Sequence, residues 1–244
     1  MTHHLNLDGL GDHVQLSEHQ DHLNHLVEVP QHLELLPDGR ESLVLGDPER
    51  CAEFNHDQGC NDLGFRETCG IVSCEDILKQ FGVHVTENDL VHHAVENHEC
   101  DADADKPERC GGTTVDWQAK ILTDKGVPAH AEAGESLENL AESLEQGHGV
   151  IAEVNCGVLW NDARYYDNGG ANHAITITGV ARDPQTGAIQ GFFINDSGTG
   201  HSNHFVSAEI MAKAWLVPDG KGSGSSVVTD SVLHIQPNPV SHDS

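Results

Sequence analysis

Three residues far apart in the chain have the types and settings that thiol chemistry requires. Cys69 opens an apolar-patterned segment, His173 begins an alternating segment, and Asp196 closes the next one. A cysteine thiolate is a strong nucleophile, an imidazole can accept and return a proton, and a carboxylate can hold the imidazole in one orientation. This order of nucleophile, base and orienting acid predicts an enzyme that attacks a carbonyl carbon through Cys69.

The segment that follows Cys69 has the periodicity of a helix. Its apolar residues recur at spacings of three and four, and Gly82 provides a stop signal. They are Ile71, Val72, Cys74, Ile77, Leu78 and Phe81. Cys69 therefore lies in the first turn, where unpaired amide groups and the positive end of the helix dipole favour a thiolate. Cys74, one turn further on, is expected to be a buried core residue.

A β-hairpin is predicted between residues 173 and 196. Residues 173–181 alternate between apolar and polar types, residues 183–187 have turn composition, and residues 189–194 form a second strand pattern. An antiparallel pair brings the start of its first strand beside the end of its second. His173 is therefore expected next to Asp196, and Asn195 is the alternative third member of the site.

The stretch from about Gln58 to Trp215 resembles the papain-like cysteine peptidases of the bacteriocin-processing (double-glycine leader) type and their relatives among bacterial toxin effectors. The matching features occur in one order: a Cys-Gly pair at a helix start, a helix and strand in 114–133, a helix in 136–140, a strand in 149–154, the histidine strand, and an Asn-Asp pair closing the next strand. The resemblance implies an α+β papain-like fold, with a helical lobe bearing Cys69 packed on an antiparallel sheet bearing His173 and Asp196.

The same resemblance implies roles for the site residues. Cys69 would be the nucleophile, His173 the general base and Asp196 the orienting acid. Such enzymes usually carry a glutamine about six residues before the nucleophile to stabilise the oxyanion. Here Leu63 holds that position, so Gln58 and Asn61 are the candidate oxyanion donors.

An aromatic segment lies directly before His173. Trp160, Tyr165 and Tyr166 occur in a stretch rich in glycine and asparagine. Amphipathic aromatic side chains bind peptide chains well, so these three are candidates for a substrate groove. The alternative is that they anchor a long loop.

Charge limits the partners that the protein can have. The chain has 40 acidic and 12 basic side chains, for a formal net charge of -28. Nucleic acids and anionic membranes would be repelled, so the expected partner is a protein or peptide substrate. The histidine-rich start does not have the pattern of a signal peptide, and no apolar run is long enough to span a membrane. We therefore expect a protein that is cytoplasmic when made, with secretion by a specialised system as an option.

No cofactor or metal site is predicted. Seven cysteines are present, and none of them form a Cys-x-x-Cys pair that would indicate structural zinc. Most are expected as reduced thiols, with Cys100 and Cys110 the pair most suited to a single disulfide. The acidic run 101–105 between them lacks the glycine and closing glutamate of a calcium loop and is expected to be a solvated loop.

The predicted organisation is one catalytic domain with two extensions. Residues 1–50 are a polar, histidine-rich N-terminal extension, residues 51–218 are the papain-like domain, and residues 219–244 are a Gly/Ser linker with a C-terminal tail containing a short strand. Further helices are predicted after Thr86, Thr114 and Ser136, with Thr86 and Asp89 forming a capping box.

Three functions are consistent with the sequence. The first is a cysteine peptidase that acts as a bacterial toxin or effector, for which an immunity protein would be a second partner. The second uses the same triad to deamidate or transamidate a glutamine of a target protein. The third is an inactive binding module, which the unusual position of the candidate oxyanion glutamine favours.

Overall fold

A computed structural model describes residues 29–216 and 224–233, and the rest of the chain lies outside the described residues. The histidine-rich residues 1–28, most of the predicted linker and the tail from residue 234 lie outside them. The described strands are β1 (Gln31–Leu35), β2 (Glu41–Gly46), β3 (Ala129–Glu132), β4 (His148–Val154), β5 (His173–Arg182), β6 (Ile189–Asp196), β7 (His201–Ser207) and β8 (Ser226–Val232). The described helices are α1 (Pro48–Cys51), α2 (Cys69–Gln80), α3 (Glu87–Asn97), α4 (Val115–Asp124), α5 (Leu137–Glu145), α6 (Cys156–Leu159) and α7 (Ala208–Trp215).

The eight strands form one sheet in which every described pairing is antiparallel. The path runs β1-β2-β5-β4-β8-β3, and β6 pairs with β5 and carries β7 on its other side. One edge of strand β5 pairs with β4 through residues 173–177 and with β2 through residues 179–182. The opposite edge of β5 pairs with β6. The fold is thus α+β with an antiparallel sheet, which confirms the predicted fold class.

Helices cover both faces of the sheet. Apolar residues of α2, α3 and α4 pack on one face together with Ile151, Ala174 and Val227 of the sheet. The other face packs against α5 and α7, where Trp215 is fully buried. Helix α2 is apolar or buried around most of its circumference because it lies between the sheet and the other two helices of its layer.

The predicted helix boundaries agree with the structure. Thr86 and Asp89 make both hydrogen bonds of a capping box at the start of α3, and Thr114 and Ser136 cap α4 and α5. Helix α2 ends at Gln80 with Phe81 as its C-cap, and Gly82 follows with a φ of 78°, a conformation that favours glycine. The hairpin of β5 and β6 is also present, with two irregularities in its register.

The sheet extends beyond the predicted domain boundaries at both ends. Strands β1 and β2 lie within the predicted N-terminal extension, and Val44 of β2 is fully buried against β5. Strand β8 lies within the predicted linker and tail, yet it occupies an interior position between β4 and β3. Burial of Val227 and Val228 explains why this segment belongs to the domain.

The structure corrects the expected disulfide. All seven cysteines are free thiols, including Cys100 and Cys110. The sulfur of Cys110 instead accepts a hydrogen bond from the backbone amide of Asp103, at 2.9 Å, and so closes the acidic loop.

Within residues 29–216 and 224–233, no helix is long and apolar enough to cross a membrane.

Candidate active site

The start of α2 gives Cys69 the electrostatic setting that the sequence predicts. Cys69 is the first residue of the helix, and its side chain is only half-buried. No acidic side chain lies in the first turn, so the positive end of the helix dipole is not neutralised there. The first amide groups of a helix have no partner within it, so the N–H of Cys69 is available to a ligand.

A buried carboxylate holds the loop that leads to Cys69. Glu87 accepts hydrogen bonds from the backbone amides of Gly59 and Cys60, from the side-chain amide of Asn61, and from the hydroxyl of Thr68, at 2.7 to 2.9 Å. Thr68 immediately precedes the helix, and its hydroxyl also accepts from the amide of Gly59. The long loop before the nucleophile is therefore fixed against the helix start.

The hairpin brings His173 and Asp196 into contact. The Nε2 atom of His173 lies 2.8 Å from Oδ1 of Asp196, and both side chains are at most 5% exposed. With Nε2 bonded to the carboxylate, Nδ1 is the ring nitrogen left for the Cys69 thiol. A hydrogen bond between the His173 ring and the Cys69 side chain raises the pKa of His173. The three residues predicted from the sequence thus meet at one site.

The electrostatics of this site favour a charged imidazole. Burial disfavours the imidazolium, but hydrogen bonds to Asp196 and Cys69 outweigh it and raise the pKa of His173 to about 10. Burial likewise works against the Asp196 carboxylate. Hydrogen bonds from His173, Trp160 and the amide of Gly198 outweigh that effect and hold the pKa of Asp196 below its ordinary value. At neutral pH the pair is therefore ionic.

Trp160 belongs to the support of this ion pair. Its indole Nε1–H donates to Oδ2 of Asp196 at 2.6 Å, and its ring meets the His173 ring edge-on at 5.2 Å between centroids. Tyr165 packs edge-on against Trp160 at 5.1 Å. Of the three aromatic residues predicted to line a groove, Tyr165 and Tyr166 are about half exposed, at 46% and 50%.

Asn195 does not lie beside the histidine. Its side-chain amide donates to the carbonyl of Cys51 and to the carboxylate of Asp76, and its oxygen accepts from the amide of Asn203. Successive residues of a strand point to opposite faces, so only one of Asn195 and Asp196 can reach His173. The structure therefore excludes Asn195 as the third member in this arrangement.

The two candidate oxyanion donors have different settings. Asn61 is bonded at both ends within its own loop, donating to the carbonyl of Phe65 and accepting from its amide. Gln58 lies at the junction of the loop and β6, since its backbone amide donates to the carbonyl of Ser197, next to Asp196. The side-chain amide of Gln58 donates to the carbonyl of Arg66, at 2.7 Å. Gln58 is therefore the better placed of the two.

A second polar pair beside the helix start was not predicted from the sequence. The side-chain amide of Gln118 donates to Glu153 at 2.6 Å, and a Cβ at Gly70 would come within 2.6 Å of the same amide nitrogen. Burial raises the pKa of Glu153 to about 7, against the hydrogen bond from Gln118 and the charge of His173, which lower it. The sequence indicates this pair only through Glu153, which is a single glutamate among the apolar residues of strand β4.

One cluster of metal-ligating residues lies close to this site, but its atoms are already in use. His56, Cys60 and Glu87 approach one another. However, the two ring nitrogens of His56 lie 2.9 Å from Glu75 and from the carbonyl of Asp57, and Glu87 is taken up by the loop. These residues therefore do not favour a metal at the catalytic centre.

Comparisons with known proteins agree with this architecture. A model of the Peptidase_C39 like family matches residues 52–221. Uncharacterized proteins of Mycobacterium bovis and Mycobacterium tuberculosis are each 26% identical over 202 residues, covering 73% of this chain and 82% of theirs. A crystal structure of a candidate C39-like peptidase from Bacillus anthracis superposes with a TM-score of 0.50 at 14% identity, covering 74% of this chain and 96% of that one. The structural likeness shows a shared fold.

Proposed function

Because this chain belongs to the Peptidase_C39 like family, we propose that it is a cysteine peptidase whose catalytic triad is Cys69, His173 and Asp196. The observation that carries the proposal is the contact of a buried, carboxylate-bonded histidine with a half-buried cysteine at a helix start. A thiolate and an imidazolium at neutral pH are the reactive state of a thiol peptidase.

The reaction would proceed in two steps. The sulfur of Cys69 attacks the scissile carbonyl carbon, and a C–S bond forms. The proton on Nδ1 of His173 passes to the leaving nitrogen as the C–N bond breaks. In the second step, water attacks the thioester carbonyl and gives a proton to His173, and the released sulfur restores the ion pair.

Asp196 and Trp160 would keep the imidazole in place during both steps. The carboxylate accepts a hydrogen bond from Nε2–H and so fixes Nδ1 toward the sulfur. The backbone amide of Cys69 is the first oxyanion donor, because the helix start leaves it without a partner within the helix. Gln58 would be the second, after its side-chain amide leaves the carbonyl of Arg66.

The substrate is a protein or peptide, and the large negative charge of the chain favours one with a basic surface. A role as a bacterial toxin or effector, with an immunity protein as a second partner, is part of this proposal. So is synthesis in the cytoplasm with release by a specialised system.

Intact-mass analysis of a protein substrate mixture tests the reaction. The wild-type chain is expected to yield fragments, and Cys69→Ala and His173→Ala are expected to yield none. The Cys51→Ala variant serves as a matched control, because burial raises the pKa of the Cys51 thiol to about 12 and makes it unreactive. A substrate that gains mass without fragmentation would show deamidation instead.

Thiol labelling separates an enzyme from an inactive binding module. Iodoacetamide should label Cys69 faster at pH 6 than an ordinary thiol, whose pKa is about 8.5. The rate should fall in His173→Ala. Slow labelling of Cys69 in both proteins would contradict the triad.

A further inference from the structure

A second set of ligating side chains lies outside the triad, where two helices of the same layer end. His93 is in the last turns of α3, Glu99 follows that helix, and Asp124 is the last residue of α4. One ligating atom from each of the three residues lies within 4.8 Å of the others. Glu99 is 1% exposed, His93 is 17% exposed and Asp124 is 34% exposed, so the cluster opens to solvent on one side.

Two buried atoms of this cluster face each other without a hydrogen bond. Nε2 of His93 and Oε2 of Glu99 are 3.4 Å apart, and neither has a hydrogen-bond partner in the described part of the chain. Oδ2 of Asp124 lies 3.6 Å from the same ring nitrogen. Buried polar atoms are nearly always satisfied, so a group that bonds both atoms is expected here.

Two of the spacings between these atoms fit a tetrahedral metal ion: 3.4 Å from Nε2 of His93 to Oε2 of Glu99, and 3.6 Å from Nε2 to Oδ2 of Asp124. Ligands at the usual zinc–nitrogen and zinc–oxygen distances are separated from each other by about 3.4 Å. We propose that His93, Glu99 and Asp124 form a zinc site that joins the ends of α3 and α4, with water at the fourth position on the side open to solvent. Three protein ligands with an imidazole and two carboxylates suit Zn²⁺ better than Ca²⁺ or Mg²⁺, which take oxygen ligands.

The side chain of Lys120 contacts both carboxylates of the proposed site. Its ammonium group contacts Oε1 of Glu99, whereas Oε2 of the same carboxylate is the oxygen paired with His93. It also donates to Oδ2 of Asp124 at 2.8 Å, the same atom that would bind the metal. The side chain of Lys120 is 53% exposed, so it can leave Asp124 for solvent when the ion binds. Lys120 therefore competes with the metal for one ligand.

The imidazole must carry its proton on the atom that does not bind the metal. When Nε2 of His93 is a ligand, Nδ1 holds the proton and needs an acceptor. The side-chain amide of Asn97 is 3.3 Å from Nδ1. That amide also donates to the carbonyl of His93 at 2.8 Å, so it keeps its place and Nδ1–H turns to solvent water when the ion binds.

Zinc titration of the full chain in a Cys69→Ser background tests the site. This background removes the reactive thiol as a competing ligand, and the histidine-rich N terminus contributes equally in every variant. The background protein is expected to bind one equivalent of Zn²⁺ tightly at this site. The variants His93→Gln and Asp124→Asn should each lose that equivalent or bind it at least tenfold more weakly. Asp124 is partly exposed, so Asp124→Asn is expected to fold even if a change at His93 does not.

His92→Gln is the matched control, because His92 is on the same helix but its Nε2 pairs with Asp62 at 2.8 Å. It should keep the full stoichiometry and affinity. Lys120→Met gives an effect of opposite sign, with Zn²⁺ binding at least threefold more tightly. Equal zinc binding by the background protein, His93→Gln and Asp124→Asn would overturn the proposal, as would weaker binding in Lys120→Met.

Discussion

The hydrogen bond from Trp160 to Asp196 is the most informative one to remove. Replacing Trp160 with phenylalanine keeps an aromatic ring against His173 but deletes the Nε1–H donor, which lies 2.6 Å from Oδ2 of Asp196. Asp196 is 3% exposed, so water cannot readily replace that donor. We therefore expect this variant to change the ionisation of Asp196 directly.

The expected change in the pKa of Asp196 follows from the type of hydrogen bond that is lost. A hydrogen bond to a charged group contributes about 1.5–3 kcal/mol, and a pKa change of one unit corresponds to about 1.4 kcal/mol. Losing the bond should raise the pKa of Asp196 by about one to two units. The folded state holds the pKa of Asp196 below its ordinary value, so the stability from its ionisation is present at neutral pH and is lost as pH falls. The variant should lose it at a higher pH.

The assay is kcat/KM for a cleaved peptide as a function of pH. The acid limb of the profile should move upward by about one to two units in Trp160→Phe, while activity near pH 8 falls by less than about tenfold because Asp196 is still ionised there. Trp215→Phe is the matched control, because its Nε1–H donates to the carbonyl of Ser225 at 2.8 Å in the core. An acid limb that stays in place in Trp160→Phe would refute the reasoning.

Three further variants test other parts of the site. Glu87→Gln replaces one of the two oxygens that accept from the loop amides with a donor. It should cost about 1–3 kcal/mol in the free energy of unfolding and speed proteolysis between residues 59 and 64; an unchanged rate of proteolysis would contradict the role of Glu87 in holding the loop. His173 has a folded pKa of about 10, above its unfolded value, so its contribution to stability is present below pH ~6.5 and lost as pH rises toward 10. Chemical denaturation should show that loss in the wild type and not in His173→Gln. Gly198→Ala places a Cβ 2.7 Å from the Trp160 ring and 3.0 Å from Cε1 of His173, so activity should fall at least tenfold. Gly187→Ala adds backbone strain at a φ of 73° in the turn of the hairpin but no clash, and should leave activity intact.

Local patterns predicted the elements that carry the triad. Apolar spacing located α2 and placed Cys69 in its first turn, and alternation with a turn located the hairpin that joins His173 to Asp196. Both predictions depend on residues close in sequence. The choice between Asn195 and Asp196 did not follow from the pattern, because it depends on which strand face meets the histidine, and the register of β5 and β6 contains two irregularities.

Other features depend on contacts between distant segments. The sequence leaves Trp160 as a groove residue or a loop anchor, and neither prediction includes the contact of its indole nitrogen with a carboxylate 36 residues away. Glu153 and Gln118 lie 35 residues apart and gave no joint signal. Strand β8 is short and follows a glycine- and serine-rich segment, so its composition indicated an appendage, whereas pairing with β3 and β4 gives it an interior position.

The place of β8 in the sheet has a consequence for the order in which the chain is made. Strand β3 has β8 as its partner, and His130 and Asp230, 100 residues apart in sequence, meet across that pair at 2.6 Å. The nucleophile, the histidine and the acid are all synthesised before β8, but the sheet beside them is incomplete until β8 leaves the ribosome. Pairing over such a separation is slow because the loop must close first. We therefore expect a nascent chain to stay inactive until β8 has been made and paired, so proteins near its ribosome would not be cleaved during its own synthesis.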